Sequence, residues 1–184
     1  MKISTKNMIV TSLFAALMAI SAIFIAVPLG PVNFTLQVFF VLLSGIILGP
    51  KYGPLSQILY MVMGLLGLPV FSGGIGGISY IFAPSFGYIL GFILASYVVG
   101  KITENFNRLT FKKLFLVSLI GLIAVYIVGF PYLYLILTEV AGADVTFNAV
   151  FKSGVLIFLP GDLIKCVLAS LTGKKMITQL KNQI

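Results

Sequence analysis

The chain has 184 residues, of which 60% are hydrophobic and only 9% charged, and it carries a net charge of +8. Soluble domains carry roughly 25% charged residues, so this chain lacks the polar surface for a water-facing shell; a soluble enzyme, a nucleic-acid module and a disordered chain are all disfavoured. Its apolar runs are long and continuous rather than short and alternating, which points to an all-α integral membrane protein.

The residue inventory narrows the chemistry further. There is no His and one Cys, Cys166. A zinc site draws about four ligands from His and Cys, so zinc is excluded, as are Ser-His-Asp and Cys-His mechanisms. A lone Cys makes no intrachain disulfide and is read as a small packing residue. The four acids are Glu104, Glu139, Asp144 and Asp162, and only Asp162 lies inside an apolar run. The basic residues form no stripe for nucleic acid; they punctuate the apolar runs.

In chain order, six apolar segments are expected, at about 8–27, 35–49, 54–69, 84–100, 113–138 and 150–171. The first follows Lys2 and Lys6 but is too long for a signal core of about 7–15 residues and ends in Val27-Pro28-Leu29-Gly30-Pro31, so a retained helix is expected. The second to fourth are short. At about 1.5 Å per residue, some 15 residues span about 22 Å, less than the roughly 30 Å of a hydrocarbon core. Short spans beside Gly/Pro-rich loops suggest non-helical backbone dipping into the protein. Residues 101–113 form the longest polar loop, read as a solvated connector.

Six crossings with a cytoplasmic N-terminus put ten of the twelve Lys and Arg residues on the inner side: Lys2, Lys6, Lys51, Lys101, Arg108, Lys112, Lys113, Lys174, Lys175 and Lys181. Lys152 falls outside, beside Glu139 and Asp144, and Lys165 lies within a span. This matches the positive-inside rule and favours a multi-pass cell-membrane protein with both termini cytoplasmic.

Four constellations stand out. In Leu159-Pro160-Gly161-Asp162-Leu163-Ile164-Lys165, Asp162 and Lys165 are three apart and share a helix face. Ionisable groups within a span face a cavity or a partner, so the pair either binds a polar solute or locks helices together. In Phe71-Ser72-Gly73-Gly74-Ile75-Gly76-Gly77, glycines permit positive φ and close approach to a ligand, unless the segment is simply a turn. The aromatics Tyr80, Phe82, Phe86 and Tyr88 that follow suit a ring system. Thr35 and Gln37 enter the second segment from outside, as solute contacts or helix caps. Ala15 and Ala19, with Ala16 and Ala22, give the first segment a smooth stripe for close packing, within the chain or against a partner.

Taken in order, these runs carry a resemblance: Thr35-Leu36-Gln37, Gly49-Pro50-Lys51-Tyr52-Gly53, Tyr60, Gly64-Leu65-Leu66-Gly67-Leu68-Pro69-Val70-Phe71, the glycine pairs, Pro84-Ser85-Phe86-Gly87-Tyr88-Ile89-Leu90-Gly91-Phe92 and Pro160-Gly161-Asp162-Leu163-Ile164-Lys165. Together they closely resemble the BioY family, the biotin-specific S components of energy-coupling factor (ECF) transporters. The resemblance spans nearly the whole chain and is strongest over 31–92 and 159–168. Two positions depart from it. Where the family often has Gly-Pro-Thr, a small residue and Gly-Tyr, this chain reads Ala83-Pro84-Ser85-Phe86-Gly87-Tyr88. Asn33 stands where the family often has Pro.

The resemblance implies one six-helix transmembrane domain over residues 1–184. It implies high-affinity capture of biotin on the outer side and inward delivery with a transmembrane scaffold and two cytoplasmic ATPases. The chain has no Walker A pattern, so a transporter subunit without its own ATPase site is expected, with no cofactor beyond the transported ligand. Biotin's rings would lie against Tyr80, Phe82, Phe86 or Tyr88, its ureido N–H groups would meet Asp162, and Lys165 would meet the carboxylate or the ureido oxygen. Thr35 and Gln37 are further contacts, Gly74 and Gly76 would let loop 70–83 close as a lid, and Ala15 and Ala19 would face the scaffold or the chain's own core. Rival readings are an S component for another vitamin and a self-sufficient facilitator. Cationic thiamine fits poorly beside Lys165. An intramembrane enzyme is disfavoured, since Asp162 has no His or second buried acid to work with.

Overall fold

The computed structural model describes residues 5–106 and 108–181. Lys2, counted in the charge argument above, lies outside them. Helix α1 (Thr5–Phe24) leads into strands β1 (Ala26–Pro28) and β2 (Asn33–Thr35), followed by α2 (Gln37–Leu65), a 3-10 turn (Ile78–Phe82) and α3 (Phe86–Glu104). Helix α4 (Phe111–Leu135) runs into a π turn (Ile136–Val140). A short α5 (Phe147–Phe151) and a second π turn (Lys152–Leu156) then lead to α6 (Leu159–Lys181).

Among the described residues, five helical stretches are long and apolar enough to cross a bilayer: Thr5–Phe24, Gln37–Leu65, Phe86–Glu104, Phe111–Val140 and Phe147–Gln179. The expected second and third segments fall within one of them, α2. That helix is not straight. Gly49 has φ 72° and ψ −173°, outside the helical region, and Pro50 follows it without an N–H to donate. Side-chain bonds cross the break: Gln37 Nε2 donates to Tyr60 Oη at 2.9 Å, and Gln57 Nε2 to Ser44 Oγ at 3.1 Å. The two arms therefore lie side by side and antiparallel. With roughly 12 and 16 residues they reach about 18 and 24 Å, each short of a full span.

Other boundaries shift for local reasons. The first segment stops at Phe24, not Val27. Pro28, Gly30 and Pro31 cannot continue a helix, and Val27 instead pairs with Phe34 in an antiparallel hairpin. The third segment stops at Leu65. The expected loop at 101–113 is mostly helical: α3 runs on to Glu104, which pairs with Lys101 at 2.5 Å, and α4 begins at Phe111, capped by the Thr110 side chain. In the last segment, Pro160 has no N–H for the Leu156 carbonyl, so the helix breaks at Ile157–Phe158 between the π turn and α6.

Helices α2, α3 and α4 pack in series, α6 closes against α2 and α4, and α1 lies on α2. The Gly49 break, Lys51, Thr103, Glu104 and Leu109 line one groove, which places the α2 bend and the α3–α4 connection at the same end of the bundle. On α1, Thr11, Phe14, Ala15, Met18, Ser21 and Ala22 face inward, while Leu13, Ala16 and Ile20 are exposed.

Candidate functional site

The first turns of α6 place Asp162 and Lys165 on the inner face, 4% and 3% exposed. Lys165 Nζ donates to Asp162 Oδ1 at 2.7 Å. Tyr126 Oη, reaching in from α4, donates to Asp162 Oδ2 at 2.5 Å. The carboxylate is thus held from both sides while each oxygen keeps a further lone pair.

The β1–β2 hairpin completes this wall. β2 brings Phe34 over α6, and Lys165 Nζ sits 3.6 Å from the centre of its ring. Phe34 also lies parallel to Phe158, centroids 6.2 Å apart. Gly161 makes the approach possible, because a Cβ there would lie 2.5 Å from the Phe34 ring. The next residues form a polar chain. Gln37 N donates to Thr35 Oγ1 at 3.2 Å, Thr35 Oγ1 donates to Gln37 Oε1 at 3.1 Å, and Gln37 Nε2 reaches Tyr60.

The glycine-rich segment 66–77 supplies a third side. Phe71 is fully buried, stacks on Tyr80 at 4.2 Å and meets Tyr60 edge-on, anchoring the segment in the core. Asn33 Nδ2 donates to Ser72 Oγ at 2.8 Å, and Tyr80 and Ser85 share a bond of 2.8 Å. Tyr88 donates to the Gly154 carbonyl at 2.7 Å and meets Tyr126 edge-on at 6.4 Å.

These groups surround one cavity holding about 590 Å³ of empty space, solvent at its mouth included. Asp162, Lys165, Tyr80, Tyr88, Thr35 and Gln37, all singled out from sequence, line it. Phe82, Phe86, Gly74 and Gly76 do not. Phe82 is 59% exposed, and Phe86 is buried against Tyr132. Gly74, with φ 71°, makes the turn after Phe71. Gly76 passes so close to Leu68 that a Cβ would lie 2.2 Å from its carbonyl oxygen. Ala15 is 1% exposed and packs in the chain's own core, with Ala19 half-buried beside it.

Tyr126 and Phe158 also line the cavity from outside the sequence motifs, whereas Ser72, Ser85 and Tyr60 line it from within them. The available signal for Tyr126 is a hydroxyl in the apolar middle stretch of α4, Leu119–Phe130, which needs a partner when buried. For Phe158 there is none, since it reads as one more apolar residue.

Chemically, the cavity offers a paired, overall neutral acceptor and donor, both almost fully buried, with aromatic walls. It suits a neutral head group carrying N–H donors and a carbonyl acceptor. A net charge brought there would be desolvated without a free partner.

The comparisons agree with this architecture. The chain is similar to a protein from Lysinibacillus sphaericus named a probable biotin transporter BioY, 39% identical over 94% of this chain and 87% of that one. It is similar to the biotin transporter BioY of Thermotoga maritima, 36% identical over 93% of this chain and 95% of the other. A solved structure described as the S-component for biotin from an ECF-type ABC transporter superposes with a TM-score of 0.79 at 28% identity, covering 96% of this chain and 95% of that chain. The sequence profile of the BioY family matches residues 1–182, and the chain belongs to that family.

Proposed function

We propose that the chain is the biotin-binding S component of an ECF-type vitamin uptake transporter. The observation that carries this reading is the Asp162–Lys165 pair, buried, neutral and lining a cavity. Biotin's head is a cyclic urea with two N–H donors and one carbonyl acceptor, fused to a thiolane ring. One urea N–H fits a free lone pair of Asp162, and the neighbouring carbonyl fits a remaining Lys165 proton. The reverse pose would bring the ligand's carboxylate to a pair that is already neutral and almost fully buried. The rings then lie among Tyr80, Tyr88 and Tyr126, with Thr35 and Gln37 as further contacts.

In this reading the two arms of α2 are separate membrane segments, giving six in one domain over residues 1–184. The lysine-rich end faces the cytoplasm with both termini, and the hairpin and glycine loop face outward. Biotin enters from outside beneath loop 70–83, which closes with the help of Gly74 and Gly76. A transmembrane scaffold and two ATPases supply the energy for inward delivery, and this chain supplies specificity. The face of α1 that carries Ala15 and Ala19 contributes to packing against that scaffold only if the helix rotates, since Ala15 is now turned inward.

The test is competition binding on the purified protein. Labelled biotin is expected to bind and to be displaced by unlabelled biotin, not by thiamine or riboflavin. Displacement by either of these at concentrations similar to biotin contradicts the assignment.

A further inference from the structure

The rim of the cavity differs in kind from its floor. Asn33, bonded to Ser72, and Ser85, bonded to Tyr80, line the cavity, and Asn33, Ser72 and Ser85 are half-buried where Asp162 and Lys165 are almost fully buried. The rim groups come from three separate places: β2, the glycine loop, and the turn before α3. All of them are neutral. Among the described residues that line the cavity, Lys165 is the one cation, and Asp162 already holds it. Lys152 is exposed and is not part of the lining.

With the urea on Asp162 and Lys165, as proposed above, the acid-bearing side chain of biotin extends to this rim. A carboxylate there finds hydroxyl and amide donors and water, and no opposite charge. Those donors serve the carbonyl oxygen of an amide equally well. The hydroxyl oxygens also accept the N–H groups that an amide brings and a carboxylate lacks. We propose that Asn33, Ser72, Tyr80 and Ser85 form a neutral tail subsite that accepts biotin whose side-chain acid is converted to an amide as readily as it accepts the free acid. The inference rests on the biotin-binding reading and adds the ligand class: amide-linked biotin, alongside free biotin.

The test displaces labelled biotin from the purified full-length protein with unlabelled biotin or with its primary amide. The expected result is that the two affinities agree within about threefold, and an amide weaker by about tenfold or more, with biotin itself binding tightly, overturns the tail subsite while leaving the biotin reading in place. Failure of biotin to bind overturns both. Asn33→Asp gives a second reading, because it adds a like charge at the rim. It is expected to weaken biotin about fivefold more than the amide, and equal weakening of the two overturns the placement of the tail. Lys152→Met is expected to leave both affinities unchanged; selective loss of the free acid in this variant also overturns the proposal, since it would identify an ionic partner for the carboxylate.

Discussion

Tyr126 on α4 donates a 2.5 Å hydrogen bond to Asp162 on α6, taking the carboxylate oxygen that Lys165 does not hold. The bond joins two helices through residues 36 apart in sequence and fixes the plane of the carboxylate that faces the cavity. A hydrogen bond to a charged group contributes about 1.5–3 kcal/mol. Tyr126→Phe is therefore expected to lower the thermal stability of the purified protein and to weaken biotin binding about tenfold. Wild-type affinity in this variant shows that Asp162 does not need Tyr126 to hold it.

The ion pair makes a sharper prediction, because binding and folding respond differently. Removing one partner of a buried pair leaves a desolvated charge and destabilises by about 3–5 kcal/mol, whereas replacing both by neutral groups is often tolerated. Lys165→Met alone is expected to lower the melting temperature more than Asp162→Asn combined with Lys165→Met. Both variants should lose biotin binding. The order of stability is read by thermal unfolding in detergent, and a double variant less stable than the single one contradicts a pair held neutral by mutual contact.

Within the glycine loop, Gly74 and Gly76 are expected to respond differently to substitution. Gly74 stands at φ 71° with open space around it, while a Cβ at Gly76 would press on the Leu68 backbone. Gly74→Val should slow biotin association and release through strain in the turn, with modest loss of stability. Gly76→Val should disturb the loop itself and lower stability as well. Stopped-flow rates for Gly74→Val equal to wild type count against a closing lid.

On α1 the expected contrast is between neighbours. Ala15 is packed in the core and Ala16 is exposed. Ala15→Trp overpacks the bundle, which costs about 1–3 kcal/mol or more, and should reduce expression and binding together. Ala16→Trp should keep biotin affinity. If this face also meets the scaffold, Ala16→Trp will reduce co-purification with it. A well-folded, tightly binding Ala15→Trp protein shows that α1 turns in the membrane.

Some of this architecture was legible in the chain. Asp162 and Lys165 stand out because charge inside an apolar run has few reasons to exist. Gly49-Pro50 marks the break in α2, where a glycine free to take positive φ meets the loss of an N–H, although the second such pair, Gly53-Pro54, stays helical. The hairpin was not legible. Its strands are three residues each, too short to show alternation, and the residues between them read only as helix breakers. Tyr126 and Phe34 join the site through tertiary packing. Their periodicity places them on a helix face or in a loop but does not say which side chain lies opposite. The inward turn of Ala15 is of the same kind, since a stripe of small residues permits close approach without naming the neighbour.

The central claim is that the Asp162–Lys165 pair recognises biotin. Calorimetric titration of biotin into the purified wild-type protein and into Asp162→Asn tests it most directly, with thermal unfolding to show that both are folded. The account predicts one tight site in the wild type and an affinity about 10- to 150-fold weaker in Asp162→Asn, the loss of a charge-assisted hydrogen bond. Equal affinities in two well-folded proteins would make the pair a structural lock and contradict the account.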